Sequence, residues 1–211
     1  MKTEALIESL VKEVQPVRAF PSPGRLLLAF AAAALAVAAL AALRLRADFA
    51  QEVRGPGLWV ESLLLLLAAF VTAAGPALLA RPVAPRIREA LAIASLATLS
   101  AVFVMALRQA WRIGPSWPAW TGLTLLCAGG VLLFGAIPFV GGIALLKRGA
   151  SVRPEVSGAL LGLAAAALGA VAQMWICDIN APSHVILGHA VLPGLALSAL
   201  GAWAGHRWLR W

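Results

Sequence analysis

Apolar residues in this chain run in long blocks instead of recurring at the spacing of a single helix face. Leu26 to Leu43 is uncharged between Arg25 and Arg44, and Ser62 to Ala80 follows the lone Glu61. Ala90 to Leu107 is a third block, and a fourth lies within Ile113 to Leu146, interrupted by Pro115, Pro118 and Pro138. Val156 to Cys177 is the fifth and the sixth lies within His184 to Gly205. Each supplies about 18 residues or more, roughly 27 Å of helix, which is close to the hydrocarbon thickness of a bilayer. A helix apolar on every side needs an apolar surrounding on every side. The pattern therefore predicts an all-α integral membrane bundle of six transmembrane helices over residues 25–211.

Residues 1–24 read differently. Thr3 suits an N-cap and Glu4 the positive end of a helix. Leu6, Ile7, Leu10, Val11 and Val14 then fall on one stripe of a short helix, with Glu8, Lys12 and Glu13 on the other face. Pro16 ends that helix, and Pro21, Ser22, Pro23 and Gly24 form a stiff link to the first span. This short amphipathic segment is expected to be retained, since no cleavable leader is recognisable. Its stripe suits either a headgroup surface or a groove on a partner protein. Glu4, Glu8 and Glu13 disfavour the anionic headgroups.

Composition agrees with a membrane protein: 62% of the 211 residues are hydrophobic, 12% are charged, and the mean hydropathy is +0.90. A formal charge of +8 would suggest nucleic acid in a soluble domain. Here the basic residues sit in the gaps between spans, so they speak for topology and no direct nucleic-acid contact is expected. Lys and Arg number twelve in residues 1–25, 81–89, 147–155 and 206–211, against five in 44–57, 108–118 and 178–183. The positive-inside rule then puts both termini in the cytoplasm. Trp59, Trp111, Trp117, Trp120 and Trp175 collect near the outer ends, and Trp208 and Trp211 near the inner end, as an aromatic belt. Gly158 with Gly162, Gly201 with Gly205, and Gly194 with Ser198 repeat the small-xxx-small spacing that lets helices approach closely in lipid.

Candidate chemistry is sparse. There is no HExxH, GxSxG, phosphate loop or CxxC, so no enzyme and no cofactor are expected. Intramembrane charges, the usual mark of an ion pathway, are nearly missing. Cys127 and Cys177 are the two cysteines. Counted outward from the loop 147–155, they lie 19 and 21 residues up neighbouring helices, about 3 Å apart in height. They read either as two small buried hydrophobes or as a thiol pair that oxidises or binds a soft metal near the outer surface. Asp178, His184 and His189 lie at the same level. His184 and His189 are five apart, about 140° around an α-helix, so one face would not offer both to one ion unless His184 precedes the helix. Gln173 is read as a helix–helix hydrogen-bonding residue.

The stretches LIESLVKEVQPVRAFPSP (Leu6 to Pro23), LLKRGASVRP (Leu145 to Pro154), ICDINAPSHVILGHA (Ile176 to Ala190) and RWLRW (Arg207 to Trp211), together with Cys127 and Cys177, carry a resemblance. In order and layout the chain resembles the NrsF-like membrane anti-sigma factors, negative regulators of extracytoplasmic-function sigma factors in proteobacteria. The resemblance implies an inner-membrane protein whose cytoplasmic N-terminal segment binds a sigma factor and keeps it from RNA polymerase. It also implies that the cysteine pair senses oxidative or heavy-metal stress. On that reading Leu6, Ile7, Leu10, Val11 and Val14 contact the sigma factor, Cys127 and Cys177 are the sensor, and His184 and His189 are further metal candidates. A small six-helix transporter or channel is the competing class, and a thiol-redox enzyme the third.

Overall fold

In the computed structural model, residues 22–79, 122–149, 151–179 and 181–210 are described, with single positions outside these ranges (Thr3, Ile7, Glu8, Glu89, Ala92, Leu96, Ser100, Phe103 and Leu107). Every regular element among these residues is helical. The elements are α1 (Pro23–Ala42), α2 (Phe49–Glu52), α3 (Pro56–Leu79), α4 (Gly122–Leu146), α5 (Pro154–Ile176), α6 (Pro182–His184), a π-helical segment (Val185–Val191) and α7 (Leu192–Trp208).

Five of the helices are long and apolar enough to cross a membrane: α1, α3, α4, α5, and the π segment continued by α7. At 20 to 25 residues each they measure about 30–37 Å. The expected third span, Ala90 to Leu107, lies outside the continuously described residues, so five spans stand among the described residues where the sequence predicts six. The surface supports lipid contact: Leu28, Leu35, Leu63, Leu126, Leu133, Val140 and Leu195 are all exposed. A row of outward leucines is costly in water and favourable in a bilayer.

Prolines and serines explain the helix starts. Ser22 caps α1 by accepting the Arg25 backbone N–H, with Pro23 in the first turn, where its missing N–H costs nothing. Pro154 likewise occupies the first turn of α5, there without a side-chain cap. Pro76 and Pro138 instead lie inside α3 and α4, both fully buried. The sequence suggests an interruption at Pro138, yet α4 continues through it for two more turns. Each proline removes one backbone donor, a loss that packed neighbouring helices make tolerable.

α5 is the mast of the bundle. In its apolar stretch 67% of residues are buried, against 22% in α1. It packs closely against α3, α4 and α7, and eight of its fourteen buried residues are Ala or Gly. A Cβ on Gly162 would stand 2.0 Å from the Leu197 carbonyl oxygen, and one on Gly169 would stand 2.2 Å from that of Val131. Gly205 meets the Pro154 carbonyl as closely. These are backbone-to-backbone contacts, the physical content of the small-xxx-small pattern. On α4, Gly130 leaves room for the buried amide of Gln173. Phe30 and Phe70, edge to face at 5.4 Å, join α1 to α3.

The two ends of the bundle differ. One carries Lys147, Arg148, Arg153, Arg207 and Arg210, all exposed. There Glu155 accepts hydrogen bonds from Arg210 (2.8 Å) and pairs with His206 (2.9 Å), and Lys147 lies over the Trp208 ring. These contacts tie the end of α7 to the start of α5. The other end holds the loop from α1 to α3, the start of α4, the end of α5 and the π segment.

Candidate metal centre

At this second end four side chains meet. Cys127 lies in the second turn of α4 and Cys177 is the C-cap of α5. His184 ends α6, and His189 lies within the π segment. One donor atom from each falls within 4.8 Å of all the others. The two Sγ atoms are 3.4 Å apart, so the equal heights inferred by counting residues correspond to direct contact. Cys177 Sγ is also 3.4 Å from His184 Nε2. The two imidazoles stand edge to face with centroids 5.3 Å apart.

The chain closes this cluster for three local reasons. First, the π segment winds more widely than an α-helix, and its i→i+5 closure brings residues five apart back to one side. His184 and His189 therefore converge, where an α-helical projection separates them. Second, Gly188 is buried against α4, where a Cβ would sit 3.1 Å from the Thr124 carbonyl oxygen. Third, Thr124 Oγ1 is 3.1 Å from His184 Nδ1, an interaction buried on both sides. Thr124 and the π turn are the features that sequence reasoning misses. Thr124 precedes Cys127 by three residues, which places both on one side of α4, and that spacing is the signal available in the sequence.

The surroundings are tightly held. The Arg46 backbone N–H donates to the Trp175 carbonyl at 3.0 Å, and Trp175 Nε1 donates to Ser62 Oγ at 3.2 Å. The loop from α1 thus lies across the end of α5. Arg46, itself buried, forms a forked pair with Asp48, and that guanidinium holds the Asp48 carboxyl below the usual carboxylate range. Asp178, beside Cys177, is exposed and is not among the converging donors.

Two of the four, Cys177 and His184, lie just beyond the span ends, and burial acts on their protonation. It pushes the Cys177 thiol up to about 12 and the His184 imidazole down from its ordinary value. In both, burial favours the uncharged form. His189 is only 3% exposed, and among the described residues neither of its ring nitrogens has a hydrogen-bond partner.

The sequence-predicted interaction stripe fares differently. Ile7 is helical and exposed. Leu6, Leu10, Val11 and Val14 lie outside the described residues.

Comparison with known proteins decides the class. A family model described as negative regulator of sigma F, NrsF, matches residues 10–211. The chain belongs to the NrsF family. Membership makes a sigma factor the partner class and negative regulation the role. No curated protein and no solved structure matches the chain.

Proposed function

We propose that this NrsF-family chain is a membrane-bound anti-sigma factor of the inner membrane. Its cytoplasmic N-terminal segment, residues 1–24, sequesters an extracytoplasmic-function sigma factor through Leu6, Ile7, Leu10, Val11 and Val14. Oxidative or heavy-metal stress, sensed at Cys127 and Cys177 near the periplasmic face, releases it. The observation that carries this reading is the position of the thiol pair. The sulfurs touch at one end of the bundle, where Arg44 and Arg54 are the exposed basic residues among those described, whereas Arg25, Lys147, Arg148, Arg153, Arg207 and Arg210 are exposed at the other. By the positive-inside rule the basic end is cytoplasmic, which turns the thiols toward the compartment where thiol oxidation and metal challenge occur.

The signal has a physical route. Bridging Cys127 to Cys177 fixes α4 to α5 at their outer ends. α5 and α7 are in backbone contact down to the basic end, so a change between two discrete packings at the outer end is felt at the inner one. The reduced, metal-free arrangement holds the sigma factor and the modified one lets it go. The test is co-purification of the sigma factor with the full-length membrane protein, before and after oxidant or cadmium. Retention of the partner under both treatments would overturn the sensing half of the proposal. Failure to co-purify from untreated cells would overturn the whole.

A further inference from the structure

We infer that Cys127, Cys177, His184 and His189 form a closed tetrahedral site for one divalent d10 cation of the zinc and cadmium class, with Thr124 as the residue that orients His184. This deepens the sensor reading and rests on it only for what the bound ion does to the sigma factor. Ion binding itself is measured without any partner.

A thiol pair that served oxidation alone would need only the 3.4 Å contact between its sulfurs. Two histidines converging on that pair would then be idle. His189 in particular is buried with both nitrogens unpartnered among the described residues, which is costly unless something accepts a lone pair. A cation does so.

The geometry fits a tetrahedron. Metal–sulfur and metal–nitrogen bonds of about 2.3 and 2.0–2.1 Å imply donor separations of roughly 3.3–3.8 Å. The observed Sγ···Sγ and Sγ···Nε2 distances are each 3.4 Å, and the widest separation in the set is 4.8 Å. Closing that gap takes about 1 Å of side-chain movement, well within rotamer adjustment.

Donor type and charge select the ion. Two sulfurs and two imidazole nitrogens with no carboxylate exclude calcium, magnesium and manganese. On binding, each thiol gives its proton to solvent while the imidazoles stay neutral, so two thiolates balance a 2+ ion and two protons are released. The loaded site is then electrically neutral, as a buried site beside lipid requires. Copper(I) on the same donors would leave a buried net charge of −1. Four protein donors also leave no open coordination position, which marks a structural or regulatory site and not a catalytic one.

Thr124 orients the His184 ring. With Nδ1–H donating to Thr124 Oγ1, the Nε2 lone pair faces Cys177 Sγ and the ion. Such outer partners typically govern metal affinity by about 10–100-fold.

The experiment uses the reduced, metal-stripped, full-length protein in detergent, titrated with Cd²⁺ and Co²⁺ alone. One ion per chain, release of two protons, a cadmium–thiolate charge-transfer band and a tetrahedral Co²⁺ spectrum are expected. His184→Ala and His189→Ala should each weaken Cd²⁺ binding by about 100-fold. Thr124→Val should weaken it by about 10–100-fold, and Thr124→Ser should restore it. An octahedral Co²⁺ spectrum, one ion shared by two chains, or binding of Cu⁺ with none of Cd²⁺ would overturn the proposal on the wild-type protein, whatever the variants do. So would full Cd²⁺ affinity in a His184→Ala, His189→Ala double variant. Loss of ion binding with sigma-factor capture intact would sink this inference and leave the anti-sigma reading standing.

Discussion

Gly158 of α5 and Gly201 of α7 stand back to back, so near that a Cβ on the first would lie 1.9 Å from the other's carbonyl oxygen. No side chain can yield there, because the obstacle is backbone. Gly158→Val should therefore force the two helices apart, and overpacking of this kind costs about 1–3 kcal/mol. Gly129, on the exposed side of α4 with open space where a Cβ would go, is the control. Gly129→Ala should leave stability unchanged or raise it by roughly 0.5–1 kcal/mol. Thermal unfolding of both variants in one detergent checks the contrast, and equal midpoints would mean that the contact is not tight.

The N-terminal stripe makes a separate prediction. Ile7→Glu or Leu10→Glu would bring an unpaired charge into an apolar groove on the sigma factor. The expected loss is about 2–4 kcal/mol, the scale of an interface hot spot. A quantitative pull-down that finds wild-type affinity for both variants would remove the stripe from the interface.

For the thiols, a Cys127→Ser, Cys177→Ser double variant should still repress its target genes but fail to induce them under oxidant or cadmium. Transcript levels before and after treatment report both halves. Normal induction in the double variant would make the cysteines packing residues.

Topology is checked by reporter fusions. Joined at residues 50 and 182, they should read as periplasmic, because twelve of the seventeen basic residues fall in the segments assigned to the cytoplasm. A cytoplasmic signal at either position would make the count of six spans wrong.

Much of the bundle was legible in the sequence because lipid imposes a simple rule: apolar on all sides, for long enough. The described spans fall where the uncharged blocks are, and the glycine pairs mark the faces of α5 and α7 that touch. The heights of Cys127 and Cys177 were readable too, since the rise per residue is fixed and the two helices share one short loop. The convergence of His184 with His189 was not. A projection at 100° per residue separates them, and nothing in VILGHAV announces the wider π turn that reunites them. Thr124 carries no local signal either, because a lone threonine in an apolar helix reads as filler until its partner 60 residues away is placed beside it. The run of α4 through Pro138 was equally unreadable, because neighbours and not the local sequence compensate for the missing donor.

The donors of the outer cluster stand at positions 127, 177, 184 and 189, while the partner-binding stripe proposed for the cytoplasm lies within the first 14 residues. A ribosome delivers these in order. On the proposed reading, each newborn molecule can capture its target before it owns a sensor, and gains the ability to let go only when its last span is inserted. A premature stop after the first spans would therefore not create an inert fragment. It would create a deaf repressor that keeps its grip under stress, and such a truncation should behave as dominant when made alongside the intact chain.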